Sequence, residues 1–278
     1  MDRRKLYTQV LHAIFSVYLF VMAYFLAKVE PFRRGFYCDD ESIKYPFIAQ
    51  DTVSYGKLVL ISMLLPLLVI TLTEVASFLW TTKKADIKDL RLWSNVFTVF
   101  FDWFFIFSVN LIITTTAKAM CGRLRPMFID ACQPDVSCNS SQIGVYITDF
   151  NCTGQKHSLT DIRKSFPSGH SAESMVSMVF LVLYLQKRLG HCRATQNLVM
   201  SLQVALLLLS TFVGLSRIQD YRHHWSDVLA GFLLGASSAV IGTRATGKLN
   251  DLTPYEATSR SQARSAAEKG EEKEMEVA

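Results

Sequence analysis

Long apolar runs, interrupted at fairly regular intervals by short charged stretches, set the pattern of this chain. A helix that crosses a bilayer needs about 20 predominantly apolar residues. Six stretches reach or approach that length: Leu6–Ala27, Gly56–Trp80, Leu92–Ala117, Ser171–Leu185, Leu198–Gly214 and Val228–Thr243. The fourth and sixth are short and would have to run past these boundaries. The pattern predicts an all-α, polytopic membrane protein with six transmembrane helices. Glu74 and Asp102 fall inside the second and third of them, where carboxylates are costly unless paired. Asp102 lies sixteen residues before Lys118, about 24 Å along a helix, so it belongs to the opposite end of that span.

The 278 residues are 50% hydrophobic and 19% charged, with a net charge of +5. That excess does not form the single basic stripe of a nucleic-acid binder. It gathers at span ends: Arg3, Arg4 and Lys5; Lys83, Lys84, Lys88 and Arg91; Lys187, Arg188 and Arg193; Arg244 and Lys248. With six spans all four groups fall on one side, which the positive-inside rule makes cytosolic, with both termini. The first span is too long for a removable signal peptide and lacks its cleavage site. Residues 1–247 read as one six-span unit and 248–278 as a polar, disordered cytosolic tail.

The other side receives loops 29–55, 118–169 and 215–227. Two glycosylation sequons, at Asn139 and Asn151, lie in the long loop. Cys38, Cys121, Cys132, Cys138 and Cys152 are on or near the same side, where disulfides persist. One or two bridges are expected, with connectivity open and Cys121 a candidate free thiol.

Three polar clusters end apolar runs on this outer side: Lys118 to Arg125-Pro126; Pro167-Ser168-Gly169-His170; and Ser216-Arg217 followed by His223 and Asp227. Taken singly, each has a plain reading: snorkelling anchors, a turn into a helix, or a carboxylate favouring a helix start. Together they supply three cations, two histidines, a carboxylate and a Ser-Gly turn, an inventory suited to gripping a phosphate and moving it to an imidazole. The topology that brings them to one face was assigned without reference to them. A transporter would instead carry charge near the midplane.

The pattern Lys-x6-Arg-Pro, Pro-Ser-Gly-His and Ser-Arg-x5-His-x3-Asp resembles that of the type 2 phosphatidic acid phosphatase superfamily, which includes bacterial acid phosphatases and vanadium haloperoxidases. Six spans and the segment Arg33 to Phe47 look like the animal lipid phosphate phosphatases. The resemblance implies an acid phosphatase/vanadium haloperoxidase-like helical core. It also implies a metal-independent phosphatase that hydrolyses lipid phosphate monoesters (phosphatidate, lysophosphatidate, sphingosine 1-phosphate, ceramide 1-phosphate) on the extracellular or luminal face. Lys118, Arg125 and Arg217 would surround the phosphate, with Ser168 and the Gly169 N–H adding hydrogen bonds. His223 would attack phosphorus to form a phosphohistidine, Asp227 would orient it, and His170 would protonate the leaving alkoxide and then activate water. His224 competes with His223, because both lie within helical reach of Asp227; the family pattern selects His223. No metal or other cofactor is expected, since two histidines and one carboxylate already have roles beside three cations. A non-catalytic lipid-binding relative could have lost His223 or His170, and both are present. The expected partners are membrane lipids and not nucleic acid, with homo-oligomerisation open, and the expected location is the plasma membrane.

Overall fold

The structure, a computed structural model, describes residues 3–81, 89–138, 142–154, 160–190 and 195–249. The Asn139 sequon, the basic residues Lys83, Lys84, Lys88 and Arg193, and the tail from residue 250 lie outside the described residues. The long helices are α1 (Arg3–Lys28), α3 (Leu65–Thr81), α4 (Leu90–Cys121), α6 (Gly169–Leu189), α7 (Gln196–Gln219) and α8 (Trp225–Thr246), with shorter α2 (Tyr55–Val59) and α5 (Phe128–Cys132) between them. Among the described residues the structure is all-α but for one two-stranded sheet and an isolated bridge between Pro134 and Cys152.

Helix α2 runs into α3 through a π-helical turn, Leu60–Leu64. Pro66 explains the disturbance. It has no N–H to offer the carbonyl four residues earlier, and that Ser62 carbonyl accepts instead from the Ser177 hydroxyl of α6 at 2.8 Å. Among the described residues, the continuous Tyr55–Trp80 segment, Leu6–Lys28, α4, α7 and α8 are the five helices long and apolar enough to cross a membrane. Helix α6, with 21 residues, has the length but a more polar composition. Its position accounts for that: it packs against α4, α7 and α8, so its serines face protein rather than lipid. Peripheral α1 packs on α4 and turns Ile14 and Phe25 outward.

Small residues set the closest approach. A Cβ added to Gly231 of α8 would come within 2.6 Å of the Ser168 carbonyl, and one on Gly235 within 2.5 Å of the Ala172 carbonyl. The two backbones therefore touch, as small residues permit in helix pairs. At the far end of the bundle Glu74 accepts from the Tyr184 hydroxyl at 2.8 Å and from Arg188 at 3.0 Å. Asp102 accepts from Thr246 at 3.1 Å. Both spanning carboxylates thus have partners away from the polar clusters.

The described parts of the 29–55 and 118–169 loops fold against each other into a cap. Strands β1 (Phe36–Tyr37) and β2 (Tyr146–Ile147) pair antiparallel. Bridges Cys38–Cys138 and Cys132–Cys152 staple the cap, leaving Cys121 free. Inside it, Phe36, Met127, Phe128, Ile147 and Ile162 are buried together, with the Arg163 guanidinium over the Phe128 and Phe150 rings. The bridges and the aromatic cluster give the cap a core of its own.

Candidate active site

All three clusters converge at the capped end of the bundle. Lys118 sits in the last turn of α4 and donates from Nζ to the Lys164 carbonyl at 2.8 Å. Gly122 then ends the helix in the left-handed region at φ 55°, hard against the Phe32 carbonyl, where a side chain has no room. That turn sends Arg123–Arg125 back beside residues 162–165, with the Arg125 N–H bonded to the Ile162 carbonyl at 2.9 Å and the Ser165 N–H to the Arg123 carbonyl at 3.0 Å. The buried Arg125 guanidinium is fixed on three sides: by the Asp161 carboxylate at 2.7 Å, the Asp161 carbonyl at 2.9 Å and the Arg222 carbonyl at 3.0 Å.

Ser168 caps α6, its hydroxyl accepting from the Ser171 hydroxyl at 2.9 Å, and its N–H donates to the Asp227 carbonyl at 3.0 Å. The starts of α6 and α8 are thereby joined, with Gly169 and His170 in the first turn of α6. Arg217, near the end of α7, donates to Asp220 at 2.5 Å and has Asp51 of the first loop 3.5 Å away. Tyr221 then adopts φ 52°, stacked on Tyr45, and the N–H groups of Arg222 and His223 both reach the Arg217 carbonyl. This tight knot presents His223 to the pocket.

The Asp227 carboxylate is the hub of the arrangement. Its Oδ1 accepts from Arg123 at 2.6 Å; its Oδ2 accepts from the Ser165 hydroxyl at 2.6 Å and the His224 N–H at 3.0 Å. The same oxygen is 3.1 Å from His224 Nδ1 and 3.8 Å from His223 Nδ1. Both histidines are brought to Asp227, and the hydrogen bond goes to His224, because that residue caps α8 and its backbone is already tied to the same oxygen. His223 holds the longer, ion-pair distance.

His223 is 3% exposed. Burial first, and the nearby Arg125 charge second, hold its imidazole well below its ordinary value, against the opposing pull of Asp227. It is therefore neutral at neutral pH, with a lone pair available. Among the described residues His223 Nδ1 and His170 Nε2 are buried without hydrogen-bond partners. Lys118, Arg125 and Arg217 lie within electrostatic range of His170, and the first two also of His223. Lys118, Arg125, His170, Arg217, His223 and Asp227 thus lie close together, beside Ser168 and Gly169 at the start of α6. The described residues contain no group of three or more His, Cys, Asp or Glu side chains placed to hold a metal ion. A cavity of about 500 Å³ is lined by Arg34, Tyr37, Asp40, Arg123, Tyr146 and His224, and not by His223 or His170.

Sequence reasoning missed the residues that hold the cations and the carboxylate: Arg123, Ser165, Asp161, Asp51 and Asp220. Arg123 stands inside the Lys118–Arg125 cluster and could have been found there. Asp51 gives no local signal. Of the two sequons, Asn151 is exposed on the cap, its amide donating to Asp135 at 3.1 Å.

The family model described as the PAP2 superfamily matches residues 99–251, a stretch that contains every residue of this pocket except Asp51. The chain belongs to the PAP2 superfamily. A Drosophila melanogaster relative whose name refers to phosphatidate phosphatase is 38% identical over 233 residues, 76% of this chain and 61% of that protein. The chain is also 39% identical to phospholipid phosphatase 1 of Rattus norvegicus over 76% of its own length and 74% of the relative's. Identity to phospholipid phosphatase 2 of Homo sapiens is 37% over 76% of this chain and 72% of that one. No solved structure matches the chain. Membership agrees with the motif resemblance.

Proposed function

We propose that this PAP2 member is a metal-independent phosphatase of lipid phosphate monoesters. The observation that carries the reading is the placing of the buried His170 within electrostatic range of Lys118, Arg125 and Arg217, and of the buried His223 within range of the first two. Two neutral rings among three cations need an anion to complete the site, and the names of the relatives point to phospholipid and phosphatidate phosphate.

The steps follow from that charge pattern. The phosphate dianion binds between Lys118, Arg125 and Arg217, and the Ser168 hydroxyl and Gly169 N–H at the start of α6 complete its hydrogen bonds. Its negative charge lets His170 hold a proton among the cations. The neutral His223 uses its free lone pair to attack phosphorus, forming a P–N bond as the P–O bond to the lipid breaks. His170 passes its proton to the departing alkoxide, releasing the lipid alcohol. A water then gives a proton to His170 and attacks the phosphohistidine, which returns neutral His223 and inorganic phosphate. The cations meet charge developing on the equatorial oxygens. Asp227 balances charge on the His223 ring and fixes the His224 start of α8.

We read α6 as the span that brings the count to six, the capped end as extracellular or luminal, both termini as cytosolic and the plasma membrane as the location. The disulfides, the sequons at Asn139 and Asn151 and the basic clusters support this orientation. A headgroup at the outer ends of α4, α6 and α7 enters sideways while its chains stay in the bilayer, so phosphatidate, lysophosphatidate, sphingosine 1-phosphate and ceramide 1-phosphate are all admitted. Phosphodiesters are excluded, because a second substituent covers an oxygen meant for a cation. The test is phosphate release from this panel in detergent micelles, with acid-labile phosphate trapped on the protein. No release from any monoester would overturn the reading.

A further inference from the structure

Four acidic residues lie within the long helices that follow α1: Glu74, Asp102, Glu173 and Asp227. Three have partners. Glu74 holds Tyr184 and Arg188, Asp102 holds Thr246, and Asp227 holds Arg123 and Ser165. Glu173 has no hydrogen bond or ion pair among the described residues, although a carboxylate without a partner is costly in a membrane protein. It is also the one placed beside the phosphate pocket and unused by the steps above.

Its position is well defined. Glu173 follows His170 by three residues on α6, so the two share a helix face, and it lies about 4.5 Å further from the capped end. Its Oε1 is 3.3 Å from the point a Cβ would occupy on Gly169, and the Lys118 Cε is 3.5 Å from the same point. The carboxylate therefore flanks Gly169 next to the Lys118 stem, while Lys118 Nζ is committed to the Lys164 carbonyl. Tyr55, 70% exposed at the first turn of α2, is within its electrostatic range. Glu173 is itself only partly covered. An acid here repels the phosphate unless something on the substrate meets it.

A lipid whose phosphate sits at His170 must lead its first carbons past this level on the way to the bilayer. We infer that Glu173 is a specificity residue, receiving a cationic or hydrogen-donating group on the carbon next to the phosphate-bearing carbon, and so favouring amine-bearing sphingoid phosphates. In sphingosine 1-phosphate that carbon carries an ammonium. In lysophosphatidate acylated at its far end it carries a neutral hydroxyl. In phosphatidate it carries an ester oxygen, whose lone pairs face the carboxylate. The order is amine over hydroxyl over ester. The inference rests on the phosphatase reading and ranks substrates within it.

The experiment compares kcat/KM for sphingosine 1-phosphate, its N-acetyl derivative and phosphatidate in mixed micelles. The proteins are wild type, Glu173→Gln and Glu173→Asp. N-acetylation removes the charge and leaves the rest of the head in place. Wild type is expected to prefer the free amine about tenfold, the scale of one charge-assisted hydrogen bond. Glu173→Gln should erase that ratio while keeping or improving phosphatidate hydrolysis, and Glu173→Asp should retain part of it. An amine preference below about twofold in wild type, a factor too small for such a bond, overturns the inference whatever the variants do. An unchanged ratio in Glu173→Gln overturns it too. Failure of wild type to release phosphate from any of the three refutes the phosphatase reading itself, a result distinct from hydrolysis without preference.

Discussion

Arg123 donates to Asp227 across 2.6 Å, joining residues 104 positions apart in the chain. The carboxylate is fully buried and the guanidinium about one third exposed. The pair carries the turn after α4 to the start of α8, and a charge so enclosed depends on its partner. Arg123 touches no substrate in the proposed steps, yet it sets the charge that Asp227 offers the histidines. Arg123→Ala should lower kcat on lysophosphatidate by about 10- to 100-fold, the range for a supporting residue behind a reacting group, with KM little changed. Steady-state kinetics of the purified variant checks this, and an equal effect on KM alone would count against a positioning role.

The proposed steps give the two adjacent histidines different roles. His223→Ala removes the attacking ring and should reduce phosphate release by at least about 10⁴-fold, as loss of a nucleophile does. His224→Ala removes a hydrogen bond to Asp227 at 3.1 Å and should leave measurable turnover. Trapping of acid-labile phosphate on the protein distinguishes them: it is lost in the first variant and kept in the second.

Acid stability should report on His223 as well. Burial and Arg125 hold its native imidazole below the ordinary 6.5. Below that pH the unfolded chain binds a proton that the native state refuses. The contribution of this residue is therefore full above 6.5 and shrinks as pH falls, by up to about 1.4 kcal/mol per pH unit. His223→Asn should flatten this part of the curve. The comparison is the difference in thermal midpoint between pH about 7.5 and about 5.5, wild type against variant.

Charge also decides the response to metals and their mimics. Lys118, Arg125 and Arg217 around His170 repel a divalent cation and attract an anion. Phosphate release should survive excess EDTA, and vanadate should inhibit by occupying the place of five-coordinate phosphorus. An absolute requirement for added Mg²⁺ would refute the scheme.

How much of this was legible in the sequence depended on cost. Lys118, Arg125, His170 and Asp227 stood out because charge at the end of an apolar run is expensive and rarely accidental. The long helices were legible for the same reason. Helix α6 was harder: its outward faces meet protein, so it keeps serines and Glu173 and reads as a short run. Asp51, Asp161 and Asp220 were hidden, since a carboxylate in a polar loop is ordinary until tertiary structure sets it against an arginine. Asp51 meets Arg222 at 2.7 Å across 171 positions, a relationship with no local periodicity. That His224 rather than His223 takes the hydrogen bond to Asp227 follows from the capped start of α8, which spacing alone left undecided.

Orientation can be read on a gel. Asn151 is exposed on the cap, and Asn139 shares its loop. Glycosidase should increase the mobility of the protein made in animal cells, and Asn139→Gln with Asn151→Gln should remove that shift. Accessibility of the 118–169 loop to protease from the cytosolic side would invert the topology.

The Cys38–Cys138 bridge has a consequence for biosynthesis. Its two halves are 100 residues apart, and the Tyr55–Trp80 and Leu90–Cys121 spans lie between them. The sulfurs can meet only if the chain has crossed the membrane an even number of times in that interval. A nascent chain whose α4 failed to insert would leave Cys138 stranded on the wrong side, unable to find its mate. Closure of this bond is thus a record of correct threading, written covalently into the finished molecule.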